Sequence, residues 1–233
     1  MSTLAIITAR SASKGIKDKN IKYLNGKPLM TYTIESALQS HYIDELMVST
    51  DSETYADIAR TYGAAVPFLR SEKNSTDMAG SLDVIFEVLN RYEKLGCFYD
   101  NIILLQPTSP LRTRNNIDSA FKLFYEKGAD SVVSVCECEY SPLLCNSLPI
   151  DLNLFGFIKS ENLVRRQEQE KYYRLNGAIY ISKVSALRAF NSFYGRNSYA
   201  YIMRLQESID IDSEFDFEYA EFLVKRRIKK IDK

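Results

Sequence analysis

The strongest constraint on the fold is a regular alternation of short apolar runs with amphipathic stretches. The apolar runs, four or five residues long and bounded by polar residues, lie at 4–8, 46–50, 102–105 and 131–135. Apolar residues between them recur at helical spacing, as at 54–62, where the pattern ends at Gly63. Strands that alternate with helices of this kind predict an α/β fold, with a mainly parallel sheet and helices on both faces.

One segment, residues 139–174, interrupts the alternation. It contains Pro142 and Pro149, scattered apolar residues and a polar run that begins near Arg165. A segment of this length is too short to bury a core of its own. We therefore interpret it as an arm inserted into a single domain that spans residues 1–233. Beyond it, the pattern predicts strands at 177–181 and 199–203 and helices at 184–190 and from 214 onward.

The composition excludes several classes of protein. The chain has 233 residues, and its 30 Lys and Arg are balanced by 30 Asp and Glu, whereas proteins that coat nucleic acid or anionic membranes carry a basic excess. With 45% hydrophobic residues the chain is too apolar to be disordered, yet no apolar run approaches the ~20 residues that span a bilayer. A single histidine, His41, excludes three-histidine zinc sites.

The N-terminus shows no secretory signal, so we expect a cytoplasmic protein without nucleic-acid or membrane partners. The cysteines do not form CxxC pairs, so we expect free thiols rather than a zinc ribbon. They are Cys97, Cys136, Cys138 and Cys145.

Polar turns follow three of the predicted strands, at the edge where parallel sheets bind ligands. The first, ARSASKG, offers backbone N–H groups and cations to an anion, although a solvated basic turn has the same pattern. The second, STDS, carries Asp51, which suits a ligand contact, while Asp and Ser here also suit a helix N-cap. The third, QPTSPLR, has two prolines that fix a rigid turn around two hydroxyl groups and a glutamine.

Two carboxylates near the C-terminus form a fourth candidate. Alternation along an extended chain places Asp210 and Asp212 on the same side. Such a pair binds a hard cation such as Mg²⁺, which takes waters and substrate phosphates as its other ligands. The alternative is that these carboxylates, with Asp216 close behind, only cap the last helix. Together the four candidates predict a phosphate-handling site.

With these motifs the chain resembles a known family, the CMP-sialic acid synthetases, also called acylneuraminate cytidylyltransferases. The resemblance covers nearly the whole chain and rests on motifs that occur in the family's order. They are LAIITARSASKGIKDKNIKYLNGKPLMTYTI at 4–34, STDS at 49–52, VPFLR at 66–70, LLQPTSPLR at 104–112, RRQ at 165–167, RLNGAIYI at 174–181 and SIDIDSEFD at 208–216.

The resemblance implies a Rossmann-like nucleotidyltransferase fold, also described as GT-A-like, with 139–174 as a small dimerisation arm. It implies a homodimeric enzyme that transfers CMP from CTP to the anomeric hydroxyl of a nonulosonic acid, with N-acetylneuraminate as the first choice, and releases pyrophosphate. Its cofactor would be Mg²⁺, with Mn²⁺ as the alternative.

The resemblance also assigns roles to individual residues. The CTP and pyrophosphate site would consist of Arg10, Ser13, Lys14, Lys19, Asn20, Arg70 and Ser81. The sugar acid would meet Gln106, Tyr180 and Arg166, the last reaching from the arm toward the partner's site. Asp210 and Asp212 would hold the metal. Catalysis would rest on Arg10, Lys19 and Asp212, with Asp212 as one candidate for assisting removal of the hydroxyl proton.

One departure from the family pattern bears on the substrate. Sialic acid synthetases often have a lysine near the sugar where this chain has Leu144, so legionaminic or pseudaminic acid is an alternative. Two other classes also fit part of the sequence. A metal-dependent glycosyltransferase would explain Asp210-Ile211-Asp212 as its DxD motif, but not the basic first turn. A non-catalytic sugar-nucleotide binding protein would have no need of Lys19 and both carboxylates.

Overall fold

The computed structural model describes residues 1–12, 15–165 and 170–231, with side chains as far as Arg227. The strands in this part of the chain are β1 (Thr3–Thr8), β2 (Tyr23–Leu24), β3 (Lys27–Pro28), β4 (Glu45–Ser49), β5 (Asn101–Leu105), β6 (Ser131–Glu137), β7 (Tyr173–Lys183) and β8 (Ser198–Met203). The α-helices are α1 (Leu29–Leu38), α2 (Glu53–Thr61), α3 (Glu72–Ser75), α4 (Ser81–Lys94), α5 (Arg114–Glu126), α6 (Val184–Phe190) and α7 (Glu214–Ile231).

The described strands form one large sheet and a small hairpin. The sheet has the order β4-β1-β5-β7-β6-β8, and β2 pairs with β3 apart from it. β1 is parallel to β4 and β5, and β6 is parallel to β8, whereas β7 runs antiparallel to both of its neighbours. The prediction of a mainly parallel, Rossmann-like sheet is confirmed, with one reversed strand.

The reversal of β7 decides which motifs meet. Leu104 near the end of β5 pairs with Tyr180, so the earlier residues of β7 extend beyond the end of β5. At the N-terminal end of β7, Tyr173 pairs with Glu137 of β6. Just beyond it, the backbone N–H of Cys138 donates to the carbonyl of Tyr172 at 2.8 Å. The segment RLNG at 174–177 therefore lies at the same edge as the turn QPTSPLR.

Side chains alternate between two layers of core, which is why the central strands are apolar throughout. In β1, Ala5 and Ile7 belong to the cluster that contains Ile34 of α1 and Phe121 of α5. The intervening residues of β1 face a second cluster with α4 and α6. A third cluster packs α7 against the hairpin and the first turn, and it includes Ile16, Leu24, Ile211 and Phe217. This third cluster carries the Asp210–Asp212 segment to the first turn.

The predicted helices and strands are present, with shifted ends. The hairpin β2–β3 was not predicted because each of its strands has only two residues. The strand predicted at 177–181 is longer and occupies Tyr173–Lys183, so it includes the last two residues of the predicted arm.

The described residues of the arm contain two one-turn 3₁₀ helices, Pro142–Leu144 and Ser160–Asn162, but no α-helix and no strand before β7. Among the described residues, no helix has the length and apolar character needed to cross a membrane.

Candidate active site

A polar cavity of about 450 Å³ opens at the edge of the sheet where β1, β4 and β5 end. Four separate stretches of the chain contribute to it, including the first turn, the QPTSPLR turn and the Asp210–Asp212 segment. Eight residues that the sequence nominated line it: Arg10, Lys19, Asn20, Arg70, Ser81, Gln106, Asp210 and Asp212. The fold therefore gathers into one cavity residues that lie up to about 200 positions apart in the sequence.

The first turn is anchored by Asp51. The backbone N–H of Ser11 donates to Oδ1 of Asp51 at 2.8 Å, and the Ser11 hydroxyl donates to Oδ2 at 2.9 Å. The N-cap of α2 is Ser52, whose hydroxyl accepts from the N–H of Tyr55. The helix cap predicted in the STDS turn thus belongs to Ser52, and Asp51 fixes the backbone just after Arg10.

Asn20 supports the same turn from inside. Its side chain is 5% exposed, and Nδ2 donates to the carbonyl oxygen of Arg10 at 3.0 Å. Its Oδ1 is buried and has no hydrogen-bond partner among the described residues. Because a buried oxygen without a partner is costly, this atom is suited to accept from a ligand.

Gly15 lets the first turn approach the Asp210–Asp212 segment, which we call the acidic segment. A Cβ at this position would lie 2.2 Å from the carbonyl oxygen of Asp212. No side chain fits in that space, so the two segments meet backbone to backbone. The contact fixes the distance between the cation-bearing turn and the acidic segment.

Lys19 is held against the acidic segment. Its Nζ donates to the carbonyl oxygen of Ile211 at 2.6 Å and to Oδ1 of Asp212 at 3.1 Å. The Lys19 side chain is 13% exposed, whereas that of Asp212 is 81% exposed. Lys19 is therefore a fixed cation at the floor of the cavity, and Asp212 remains open to a ligand.

Arg70 is a second fixed cation. Its Nε donates to the hydroxyl of Ser49 at 3.0 Å, and Nη2 donates to the carbonyl of Ser49 at 2.5 Å, at the end of β4. Burial lowers the pKa of Arg70 to about 10, and the nearby Asp51 carboxylate opposes that shift. The guanidinium therefore remains charged at neutral pH and is held in a fixed position at the cavity wall.

Asp210 and Asp212 differ in their surroundings. Ile211 between them is fully buried, and its N–H donates to the carbonyl of Thr108 at 2.9 Å. Burial raises the pKa of the Asp210 carboxyl, a hydrogen bond from Thr108 opposes that shift, and the nearby Asp212 carboxylate adds to it. Oδ1 of Asp210 is buried without a hydrogen-bond partner among the described residues.

These carboxylates fit a cation that takes most of its ligands from substrate and water. In the described part of the chain, no group of three or more His, Cys, Asp or Glu side chains is arranged to hold a metal. A cage of protein ligands is therefore absent there, and two carboxylates with one unpartnered oxygen match the way Mg²⁺ is usually bound beside phosphates.

The alternative role of helix capping falls to Asp216. Its Oδ2 accepts from the N–H and the hydroxyl of Ser213, at 2.8 Å and 2.7 Å, and from the N–H of Asp212 at 3.2 Å. The hydroxyl of Ser213 in turn accepts from the N–H of Asp216, which completes a capping box at the start of α7. Asp216 thus fixes the backbone of Asp212 and leaves its carboxylate available.

Gln106 lies at the end of β5 above a glycine of β7. Gly177 has φ of +73°, and a Cβ there would lie 2.5 Å from Oε1 of Gln106 and 3.3 Å from Oδ2 of Asp210. Arg112, which is buried, donates from Nη1 to the carbonyls of Gln106 and Ala178 at 3.1 Å and 2.9 Å. The absence of a side chain at Gly177 leaves room for Gln106, and Arg112 links the QPTSPLR turn to β7 by hydrogen bonds.

Some nominated residues are not brought to the cavity wall. Tyr180 lies in β7 beneath the cavity, where its ring packs on Phe193 at 5.3 Å between centroids, and it is not among the lining residues. Burial raises the pKa of Tyr180 to about 12. Ser13, Lys14 and Arg166 lie outside the described residues, so their roles stay predictions, as does substrate contact by Tyr180.

One wall of the cavity was not predicted from the sequence. Asn74, Thr76, Asp77 and Ala79, between Arg70 and α4, line it together with Thr108 of the third turn. Glu87 of α4 holds this wall by accepting from the Ser71 N–H at 2.9 Å and from Nδ2 of Asn74 at 2.5 Å. No strand end or charge pattern marks this segment, so the available signal was only its position between two nominated residues.

The chain is similar to known cytidylyltransferases over almost its whole length. A family model described as cytidylyltransferase matches residues 4–231. The chain is 38% identical to CMP-N,N'-diacetyllegionaminic acid synthase of Legionella pneumophila over 97% of both chains. It is 39% identical to N-acylneuraminate cytidylyltransferase of Escherichia coli O18:K1:H7 over 98% of this chain, which spans 54% of that relative. It is 31% identical to pseudaminic acid cytidylyltransferase of Campylobacter jejuni over 97% of both chains.

Solved structures share the fold at lower identity. CMP:2-keto-3-deoxy-manno-octonic acid synthetase in complex with CTP superposes with a TM-score of 0.74 at 16% identity, over 97% of this chain and all of the other. A 4-diphosphocytidyl-2C-methyl-D-erythritol synthase from Anaerococcus prevotii gives a TM-score of 0.63 at 13% identity, over 96% and 98% of the two chains.

Proposed function

This chain belongs to the cytidylyltransferase family, and we propose that it transfers CMP from CTP to the anomeric hydroxyl of a nonulosonic acid. The hydroxyl oxygen forms a bond to the α-phosphorus of CTP, and the bond from that phosphorus to the oxygen bridging to the β-phosphate breaks. Pyrophosphate leaves, and the hydroxyl proton passes to a base or to water. The observation that carries the proposal is the gathering of Arg10, Lys19 and Arg70 with Asp210 and Asp212 in one cavity.

Such a transfer depends on positioning and on neutralising charge more than on covalent chemistry. Lys19 and Arg70 are held by hydrogen bonds to the protein, so they need little reorganisation when a triphosphate enters. Arg10 lines the same cavity. Ser13 and Lys14 extend this set in the proposal, on the grounds of their place in the first turn.

The metal is part of the proposal. Asp210 and Asp212 are the residues that would hold Mg²⁺ or Mn²⁺. When bound, such an ion neutralises phosphate charge and helps to orient the nucleotide. Because Asp212 also accepts from Lys19, its carboxylate is oriented before a ligand arrives.

The sugar acid is proposed to occupy the part of the cavity beside Gln106, above Gly177 and Tyr180. Arg166 would grip its carboxylate, because a guanidinium binds a carboxylate through two parallel hydrogen bonds. The names of the relatives refer to legionaminic, neuraminic and pseudaminic acids. We therefore propose as acceptor the class of compound that these acids share, a nine-carbon 2-keto acid.

The arm is proposed to join two copies of the chain. It exposes large apolar side chains that no described residue covers, among them Tyr140, Leu148, Ile150, Leu152 and Phe155. An apolar surface of this kind is typical of a protein interface. A second copy is the proposed occupant, because the arm would then also bring Arg166 toward the neighbouring site. The cytoplasmic location inferred from the sequence stays a prediction.

Release of pyrophosphate tests the proposed reaction. Purified protein is incubated with CTP, Mg²⁺ and one of a panel of acids: N-acetylneuraminate, legionaminate, pseudaminate and 3-deoxy-octulosonate. Phosphate is detected after pyrophosphatase treatment, and the CMP-sugar by mass spectrometry. We expect stoichiometric pyrophosphate and CMP-sugar with at least one nine-carbon acid. Consumption of a CMP-sugar without pyrophosphate release would indicate a glycosyltransferase, and binding of CTP without turnover would indicate a binding protein.

A further inference from the structure

An ion pair links two walls of the cavity. Nη2 of Arg10, just after β1, lies 2.8 Å from Oδ1 of Asp77, and Nη1 of Arg10 donates to the carbonyl of Thr76 at 2.9 Å. Both side chains line the cavity and remain partly exposed, Arg10 at 30% and Asp77 at 40%. Arg10 is therefore already partnered by a carboxylate from another wall of the cavity.

This arrangement differs from that of the other fixed cation of the wall. Arg70 is held by hydrogen bonds to the neutral hydroxyl and carbonyl of Ser49, and the carboxylates of Asp51 and Glu87 lie near enough to act on its charge. The charge of Arg10 is offset by its direct ion pair with Asp77, so that charge is less available to a polyphosphate in the cavity. An ion pair with this much solvent contact is weak, so a ligand with several negative charges is able to displace it.

We propose that Asp77 is an exchangeable counter-ion for Arg10, which weakens the hold of the site on polyphosphate and so assists release of pyrophosphate. On entry of CTP the phosphates take the place of Asp77 at the guanidinium, and on departure of pyrophosphate Asp77 takes it back. This inference rests on the proposed function, and it deepens that function by naming the residue that limits product affinity.

Asp77→Asn is predicted to strengthen pyrophosphate binding, whereas damage to the structure would weaken it. In Asp77→Asn the guanidinium loses its charged partner, so inorganic pyrophosphate is expected to bind about threefold to tenfold more tightly. The dissociation constant is measured by isothermal titration calorimetry with pyrophosphate alone. The gain is expected to shrink as KCl is added, because salt screens partly exposed charges. Weaker or unchanged pyrophosphate binding in Asp77→Asn overturns the proposal.

A double-mutant cycle shows whether the effect passes through Arg10. In an Arg10→Met background, Asp77→Asn is expected to change pyrophosphate affinity less than twofold, and an undiminished gain there contradicts the exchange. Asp57→Asn is the matched control, because Asp57 forms a comparable ion pair with Arg60 at 2.9 Å on α2, away from the cavity. It removes the same charge and is expected to leave the affinity unchanged.

Two further measurements separate the possible failures. Asp77→Glu keeps the charge and is expected to bind pyrophosphate within about twofold of the wild type, so a large gain in that variant contradicts the proposal. The wild-type assay of CTP with the acid panel is run beside the titrations. Turnover by the wild type together with unchanged affinity in Asp77→Asn rejects this inference alone, whereas failure of the wild type both to turn over and to bind pyrophosphate rejects the proposed function with it.

Discussion

The carbonyl oxygen of Asp212 occupies the space where Gly15 would carry a Cβ, at a distance of 2.2 Å. The first turn and the acidic segment, which are about 200 residues apart in the sequence, thus meet through their backbones. Lys19 and Ile211 reinforce the contact by a hydrogen bond of 2.6 Å. The spacing between the cations and the carboxylates of the site depends on this approach.

Gly15→Ala is predicted to separate the two segments. A displacement of the order of 1 Å in positioning groups lowers rates by roughly 10- to 100-fold, so we expect kcat/KM for CTP to fall within that range. Steady-state kinetics at saturating sugar acid measure it. Gly195→Ala is the control, because its added Cβ would meet only ordinary contacts at 3.6 Å or more. Equal kinetics in both variants would contradict the role of Gly15.

Loss of either carboxylate that we propose to hold the metal is predicted to affect turnover far more than nucleotide binding. Asp210→Ala and Asp212→Ala are expected to lower kcat by about 100-fold or more, because charge neutralisation in the transition state is lost. The dissociation constant for CTP without metal, measured by calorimetry, is expected to change by less than about fivefold. Glu214→Gln, an exposed carboxylate two residues further on, serves as the control. Full activity of the wild type in excess EDTA would refute the metal role.

Gly177→Ala is predicted to damage the proposed sugar site and to lower stability. Alanine at φ of +73° costs about 1–2 kcal/mol of unfolding free energy, and its Cβ would also displace Oε1 of Gln106. We expect the KM for the sugar acid to rise roughly tenfold, which corresponds to about 1.4 kcal/mol. Gly96→Ala has a similar φ of +81° with no atom near its Cβ, so it should share the loss of stability and keep the KM.

The wall held by Glu87 is predicted to weaken in acid. Partial burial raises the pKa of this carboxyl, but hydrogen bonds from Ser71 and Asn74 outweigh burial and lower it below its ordinary value. A lowered pKa in the folded state contributes stability that is full above the unfolded-state pKa of about 4.3 and is lost as pH falls through the folded value. Urea unfolding of wild type and Glu87→Gln between pH 3 and 7 measures it.

The wild type is expected to exceed Glu87→Gln in free energy of unfolding by about 1 kcal/mol at pH 7, and this difference is expected to disappear near pH 3. Glu93→Gln, on the same helix but with a more exposed side chain than Glu87, provides the comparison. A difference that stays constant with pH would show that Glu87 acts by packing and not through its charge.

Removal of apolar side chains from the arm is predicted to dissociate the proposed dimer. Ile150 and Phe155 are fully exposed, so the double variant Ile150→Ser, Phe155→Ser should fold normally as a monomer. Light scattering coupled to size-exclusion chromatography gives the mass, with about twice the 26.7 kDa of the chain expected for the wild type. Phe98→Ser, exposed but outside the arm, should remain dimeric. A monomeric wild type at micromolar concentration would rule out this interface.

The sequence predicted those features that depend on local pattern. Continuous apolar runs indicated strands covered on both faces, and the ends of β1 and β5 carried Arg10 and Gln106 to the cavity because parallel strands end at a common edge. The alternation of an extended chain predicted that Asp210 and Asp212 lie on one side, and both line the cavity while Ile211 between them is buried. These inferences needed only the period of a strand and the position of a turn.

Other features depend on contacts that no local pattern encodes. The period of a strand does not reveal its direction, so the reversal of β7 was not predicted. Asp51 reaches Ser11, 40 residues earlier, and Glu87 reaches back to Asn74 from the next helix. The role of each depends on the packing of elements that are distant in sequence or that turn back on themselves, and so it became visible only in three dimensions.

The pairing of Glu137 with Tyr173 closes the arm at its base. Residues 139–172 therefore leave the sheet and return to it at the same point, so their length and sequence can change without shifting the register of β6 or β7. The arm is thus a replaceable module. Exchanging it for that of a relative with a different sugar acid would exchange the proposed dimer surface and the residues that the arm carries, while the sheet and the cavity keep their geometry.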